Sequence, residues 1–298
     1  MERYAAGIVI YNPDLDRLKE NLDSISRQVK TVYCLNNGSK NIVEIESILK
    51  EYKNVVFVHS DVNLGIATAL NIITNYALSD NFEWLLTLDQ DSVCPTKMIH
   101  TFSKYVHYDN VAIICPVMID KRRPQTSDMQ FGNTEVEFCI TSGSFVNLEI
   151  CARLGYYDDY LFVGLVDNDY CYRVRLNKYK ILQINTVFLD HELGNLYSSK
   201  LKNLYLILGN ILHIKKIKAL SYKRKVSRAR VYYAERNIIY LSKKYKWYPS
   251  KKFSATYAIY NATSNFLRGR KKIEILKAIC KGIKAGKDKT VDYYKMDN

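Results

Sequence analysis

An apolar run ends in two carboxylates one residue apart: Trp84-Leu85-Leu86-Thr87-Leu88-Asp89-Gln90-Asp91-Ser92. Side chains alternate along a strand, so Asp89 and Asp91 would face one crevice, where like charges repel unless a cation or a proton intervenes. Mg²⁺ takes few protein carboxylates and completes its shell with water and phosphate oxygens. A short acidic pair at a strand's carboxyl end therefore suits a metal-bound diphosphate. The competing reading is a solvated turn.

Two further acidic groups stand out. Asp167 and Asp169 open a helical pattern over Val166 to Arg175, with Arg173 four residues after Asp169, the spacing of an intrahelical ion pair on an exposed face. Later, Asp190-His191-Glu192 closes an apolar run over Ile181 to Leu189, and a solvated surface histidine is one account of His191.

The elements that must position these groups alternate. Ala5 to Tyr11 is an apolar run suited to a buried parallel strand; Asn12-Pro13-Asp14 ends it, and Leu15, Leu18, Leu22 and Ile25 have helical spacing. Val32 to Leu35 is a second strand, ending in Asn36-Asn37-Gly38-Ser39 before a helix through Ile42, Ile45, Ile48 and Leu49. Val55 to Val58 is a third, and after Asn63-Leu64-Gly65 a helix runs from Ile66 to Leu78. The Trp84 stretch is the fourth. This rhythm predicts an α/β fold of βαβ units with a parallel sheet and helices on both faces. The polar loops 12–14, 36–39, 60–65 and 89–92 then gather at the sheet's carboxyl edge, where open α/β folds bind ligands.

Beyond Pro95 the pattern predicts a helix over Met98 to Tyr105, a strand over Ala112 to Met118 and a basic loop at Lys121-Arg122-Arg123-Pro124. Val136 to Asn147 reads as a strand interrupted by Thr141-Ser142-Gly143-Ser144. From Leu201 the chain reads as all helix, with segments near 201–217, 224–245, 252–267 and 272–285.

Charge divides at the same place. Residues 1–199 carry 18 Lys/Arg and 25 Asp/Glu, whereas residues 200–298 carry 26 and 5. The tail thus holds a net +21, which points to a polyanionic partner, either anionic lipid or nucleic acid. No stretch reaches the roughly 18 apolar residues a membrane span needs. The segment opening at Met1-Glu2-Arg3-Tyr4 lacks the apolar core of a secretory signal, which predicts a cytoplasmic protein. Seven cysteines without a Cys-x-x-Cys read as reduced core thiols. The loops contain neither Gly-x-Gly-x-x-Gly nor a phosphate-cradling Gly-x-x-x-x-Gly-Lys, which disfavours dinucleotide dehydrogenases and P-loop enzymes. Asn12-Pro13-Asp14 is unlike the Gly-rich, basic loop of a nucleotidyltransferase.

The order of motifs resembles a known family. Ile10-Tyr11-Asn12-Pro13, Asn36-Asn37-Gly38-Ser39, Asn63-Leu64-Gly65-Ile66-Ala67 with Asn71, Leu88-Asp89-Gln90-Asp91-Ser92, Thr141-Ser142-Gly143-Ser144 and Val166-Asp167-Asn168-Asp169-Tyr170 with Arg173 occur in that sequence. The chain resembles the family 2 inverting glycosyltransferases of the GT-A (nucleotide-diphospho-sugar transferase) fold, and among them the bacterial rhamnosyltransferases of O-antigen and capsule synthesis. The likeness covers residues 4–195, with a weaker echo at Arg230-Val231-Tyr232-Tyr233 and Arg236-Asn237.

The resemblance implies roles. Asp89 and Asp91 match the Asp-x-Asp that binds Mn²⁺ or Mg²⁺, with Asp89 also holding the donor's ribose or metal-bound water, and His191 matches a late histidine that completes the metal site. Asp167 matches the general base, with Asp169 as its rival. Tyr11, Asn12, Asn36, Asn63 and Asn71 match donor-binding positions, although an Asp is usual at position 36; turn chemistry at strand ends is the alternative for these asparagines. Thr141, Ser142, Gly143 and Ser144 match the acceptor pocket.

The expected protein is therefore a GT-A catalytic domain over 1–199 followed by a basic helical region over 200–298. It would transfer L-rhamnose from dTDP-L-rhamnose to a polyprenyl-diphosphate-linked saccharide at the inner face of the cell membrane, its tail on the anionic lipid surface. A UDP-sugar donor such as UDP-galactose or UDP-glucose is the alternative. A nucleic-acid-binding protein using the basic tail is the alternative of another class, opposed by the acidic first part and the absence of a nucleic-acid motif.

Overall fold

The computed structural model describes residues 3–119, 132–190, 196–198, 201–211, 218, 221–224, 227–269 and 271–296. The chain forms two compact units, Met1–His191 with Met296–Asn298, and Glu192–Lys295.

In the first unit the alternation is realised as β1 (Tyr4–Ile10), α1 (Leu15–Ile25), β2 (Thr31–Asn37), α2 (Ile42–Leu49), β3 (Val55–Ser60), α3 (Ile66–Ser79) and β4 (Trp84–Asp89). There follow α4 (Met98–Phe102), β5 (Val111–Ile119), β6 (Asn133–Glu135), β7 (Ser144–Asn147), α5 (Leu148–Arg153), α6 (Val166–Leu176) and β8 (Lys180–Asp190). Helix α1 starts where the sequence signals it, with the Asp14 carboxylate accepting from the Arg17 amide.

One eight-stranded sheet has the order β3-β2-β1-β4-β7-β5-β8-β6. β1 lies between β2 and β4, parallel to both, and its register sets Ile10 beside Asn36 and Val9 beside Asp89. The ends of β1, β2 and β4 therefore share one edge. Apolar side chains pack on both faces. One core joins Ile8, Leu18, Leu22, Ile45, Leu86 and Phe102; the other joins Ala5, Tyr33, Ile73, Leu85 and Leu148. The fold is α/β with a mainly parallel sheet. Two strands depart from the parallel expectation: β7 runs antiparallel between β4 and β5, and β6 antiparallel to β8.

Of the strand expected over Val136 to Asn147 only its end forms, as β7; residues 136–143 carry no strand, and Thr87 of β4 bonds the turn that enters β7. The Thr87 hydroxyl donates to the carbonyl of Thr141 at 2.6 Å, and its carbonyl accepts from the Gly143 amide at 2.8 Å. The helix at Met98 stops at Phe102, three residues earlier than its spacing suggested, where the Tyr105 amide turns back onto the Phe102 carbonyl. The basic loop around Lys121 lies outside the described residues.

The second unit contains β9 (Leu196–Ser198), α7 (Lys202–Ile211), β10 (Tyr222–Arg224), α8 (Arg228–Lys244), a 3-10 turn at Lys251–Phe253, α9 (Ala255–Arg268) and α10 (Lys272–Asp288). It is not all helix: β9 and β10 form an antiparallel ribbon. Val231 of α8 packs on Ile275, Ala278 and Ile279 of α10, and Lys243 donates to the Lys287 carbonyl at 2.8 Å, capping the end of α10. Among the described residues no helix is long and apolar enough to cross a membrane.

Candidate active site

The acidic loop is held by its main chain. Asp89 ends β4; its amide donates to Ser142 Oγ at 3.1 Å, and its carbonyl accepts from Asn21 Nδ2 at 2.6 Å. Arg17 donates to the Asp91 carbonyl at 2.9 Å, and Gln90 Oε1 accepts from the Tyr11 amide at 2.7 Å. Ser92 Oγ and Ser142 Oγ are 2.6 Å apart and both residues are buried. These bonds hold the loop by its backbone and by the residues around the acids. Asp89 is partly exposed and Asp91 is exposed.

The neighbouring strand ends are tied to one another in the same manner. Asn12, at φ 46°, accepts the Lys40 amide at 2.9 Å while its own amide donates to Ser39 Oγ at 2.9 Å. Asn36 is buried, accepting from the Ser39 amide at 3.1 Å and meeting His59 Nδ1 through Nδ2 at 3.0 Å. Since an amide nitrogen only donates, His59 Nδ1 is the acceptor there, which leaves Nε2–H to donate to Asp61 at 2.9 Å. Asn63 Oδ1 accepts from the Gly65 amide at 2.9 Å and from Asn37 Nδ2 at 3.3 Å. Turn chemistry thus engages Asn12, Asn36 and Asn63, and the same loops stand beside Tyr11, which is 48% exposed.

Asn71 does something else. From α3 it donates to the Tyr157 carbonyl and to Asp159 Oδ1, each at 2.8 Å, and accepts from the Tyr157 amide at 2.9 Å. Nearby, the Ile66 amide donates to the Phe162 carbonyl at 2.8 Å. The start of α3 therefore fastens the segment that leads into Asp167.

Asp167 lies in the first turn of α6, where its Oδ1 accepts from the Asn168 amide at 2.9 Å. Together with Thr141, Ser144, Cys139, Tyr170 and Cys171 it lines a cavity of about 10 Å³, room for about one water. The loop 141–144 consequently borders both candidate residues: Ser142 accepts from the Asp89 amide, and Thr141 lines the same cavity as Asp167. Gly143, at φ 85°, permits this turn, since a Cβ there would lie 2.7 Å from Leu189 and 2.9 Å from Pro116.

Asp169 departs from the exposed ion pair that its spacing suggested. It is fully buried, and its Oδ2 accepts from Arg173 Nε at 3.0 Å; Arg173 in turn donates to the carbonyls of Leu154 and Tyr156. The pair braces the 154–156 turn, a role that only packing against α6 could create. Six of the seven cysteines are buried, and Cys280 is exposed. Burial pushes the Cys94 thiol up to about 12 and Cys151 to about 11, so these stay protonated.

A divalent cation fits the chemistry of Asp89 and Asp91, since Mg²⁺ at nucleotide sites uses one or two carboxylates and takes its other oxygens from phosphate and water. Among the described residues no three His, Cys, Asp or Glu side chains form a metal cage. His191 lies outside the described residues; Asp190 before it bridges Val93, just beyond the acidic loop.

Arg17 and Asn21 lay outside every motif, and Thr87 and Ser92 stood within the acidic stretch without a role, yet all four position the site. Only Asn21 had a signal, an amide within the apolar stripe of Leu18, Leu22 and Ile25. It is fully buried, and its Oδ1 has no hydrogen-bond partner among the described residues.

A mainly parallel sheet with an Asp-x-Asp loop at its carboxyl edge and a helical extension defines a glycosyltransferase of the GT-A fold. Residues 6–154 match the model of glycosyl transferase family 2, and the chain belongs to that family. It is 28% identical over 208 residues to the dTDP-rhamnosyl transferase RfbF of Shigella flexneri, covering 64% of this chain and 69% of that protein. Among solved structures, residues 1–349 of S. aureus TarS align with TM-score 0.54 at 13% identity, over 96% of this chain and 89% of that one. GalNAc-T7 with UDP, GalNAc and Mn²⁺ aligns with TM-score 0.54 at 14% identity over 80% of this chain and 51%, about half, of that one. At such identities these structures establish the shared fold.

Proposed function

We propose that this glycosyltransferase is a metal-dependent inverting enzyme that moves L-rhamnose from dTDP-L-rhamnose to a saccharide carried on a polyprenyl diphosphate, at the inner face of the cell membrane. The observation that carries the reading is the loop 141–144, which bonds Asp89 through Ser142 and shares a cavity wall with Asp167 through Thr141. A donor-side acid and a candidate base thereby border one loop. The similarity to a protein named as a dTDP-rhamnosyl transferase supports the donor.

In this reading Asp89 and Asp91, with His191, hold Mn²⁺ or Mg²⁺, which when bound neutralises charge on the leaving diphosphate. Tyr11, Asn12, Asn36 and Asn63 shape the nucleoside side, mostly by fixing the loops whose backbone lines it. The 141–144 loop receives the acceptor. Asp167 takes the proton of the acceptor hydroxyl as that oxygen bonds to the anomeric carbon; the bond to the diphosphate oxygen breaks with its electron pair, and dTDP departs from the opposite face. Asn71 acts one step back, by holding the segment before Asp167. Residues 1–199 form the catalytic part and 200–298 an attachment region on anionic lipid.

The test combines donor specificity with one substitution. Melting temperatures with dTDP-rhamnose, UDP-sugars and GDP-sugars, with and without Mn²⁺, should rise most for dTDP-rhamnose plus metal. A larger rise with UDP-galactose or UDP-glucose would replace the donor. Asp91→Ala, at an exposed position, should keep the fold and abolish transfer; retained transfer would overturn the metal reading.

A further inference from the structure

We infer that the outward apolar stripe of α7 is a membrane-docking element that seats in the headgroup region of an anionic bilayer. This deepens the lipid-linked reading above and rests on it. Leu204, Ile207, Leu208 and Ile211 of α7 are 47, 55, 38 and 66% exposed, and Leu201, just before the helix, is 51% exposed. At about 100° of turn per residue, all five fall within an arc of roughly 120°.

The opposite side of the helix is the packed one. Gly209 is the buried residue of α7, and a Cβ there would lie 2.9 Å from the backbone nitrogen of Lys218. Lys202, Tyr205 and Leu206, on the same side as Gly209, are half-buried. A surface helix ordinarily turns its apolar stripe inward. Here close packing at the glycine fixes the helix with Leu204, Ile207, Leu208 and Ile211 exposed, and a contiguous apolar surface of that kind marks an interaction site.

Charge decides the occupant. α7 contains no acidic residue and opens with Lys202. The 26 Lys/Arg against 5 Asp/Glu over residues 200–298 give this segment a net charge that repels a second copy and attracts phosphatidylglycerol headgroups. An apolar stripe on a strongly cationic segment binds lipid by burying the stripe while the charges stay at headgroup level.

The experiment is flotation of the full chain with vesicles of phosphatidylcholine plus phosphatidylglycerol and with vesicles of phosphatidylcholine alone. The wild type should float with the anionic vesicles, less as salt rises. The double variant Ile207→Gln, Leu208→Gln should bind them about tenfold more weakly or worse, with unchanged melting temperature, sedimentation coefficient and donor turnover on a soluble saccharide. A wild type that does not float, or a variant that floats equally well, overturns the proposal. A variant that floats less because it dissociates from a dimer to a monomer assigns the stripe to self-association and overturns it too. Donor turnover is read separately: its absence in the wild type would remove the enzymatic reading, while the vesicle result would stand or fall by itself.

Discussion

The amide of Asp89 donates to the hydroxyl of Ser142 at 3.1 Å, so the last residue of β4 and the turn that enters β7 are one bonded unit. Ser142 is only 2% exposed and lies 2.6 Å from Ser92 Oγ as well. Ser142→Ala removes the partner of the buried Ser92 hydroxyl and the acceptor of the Asp89 amide, at a cost of about 1–3 kcal/mol. We expect a melting temperature several degrees lower and donor turnover reduced roughly tenfold, since the same loop positions Asp89. Calorimetry with steady-state kinetics checks both, and wild-type turnover would separate the hydroxyl from the positioning of the acid.

The two acids of α6 should fail differently. Asp169→Asn leaves Arg173 buried without its counter-charge, which costs about 3–5 kcal/mol; the variant should melt far earlier or express poorly. Asp167→Asn retains an oxygen for the Asn168 amide and should melt near the wild type, yet lose at least about 100-fold in transfer. Equal stability of the two variants would contradict the buried brace. Transfer by the Asp167 variant would place the base elsewhere.

Asn71→Ala removes three bonds to the 157–159 segment. The expected result is faster amide exchange around Tyr157 to Phe162 and a fall in kcat with little change in donor KM. A raised donor KM with unchanged exchange would return Asn71 to direct donor contact.

Glu235 of α8 sets a pH dependence in the second unit. It is fully buried, its Oε1 accepts from Asn261 Nδ2 at 2.7 Å, and burial raises its carboxyl to about 7. The unfolded side chain ionises near 4.5, the ordinary value for a glutamate. Between these values the folded state binds more protons than the unfolded one, so stability is highest at the acidic end and falls as pH rises toward and through 7. Thermal melts of the wild type should show this decline, and Glu235→Gln, which keeps an acceptor for Asn261, should flatten it. Parallel curves for the two proteins would show that the carboxyl stays ionised in the fold.

The alternation of strands and helices through Asp89 was legible because helix and strand impose periods of 3.6 and 2 on any amphipathic segment. Those periods do not say which strand pairs with which. The insertion of β7 between β4 and β5 had no local signal, because it rests on backbone pairing with two strands distant in sequence, with Thr87 of β4 bonding the turn that leads into it.

The candidate site divides along the same line. From the chain alone came the Asp-x-Asp at a strand end and the gathering of Asn12, Asn36 and Asn63 with it, because parallel βαβ connections send successive strand ends to one edge whatever the packing details. Tertiary structure alone buried Asp169 and left Asp167 beside a cavity, turned Asn71 toward Tyr157, recruited Asn21 from α1 and set Leu204 and Leu208 of α7 outward. Each of those depends on what a side chain meets from a distant part of the polypeptide. Desolvation and hydrogen-bond pairing are properties of that meeting, whereas residue spacing records only the element in which a side chain sits.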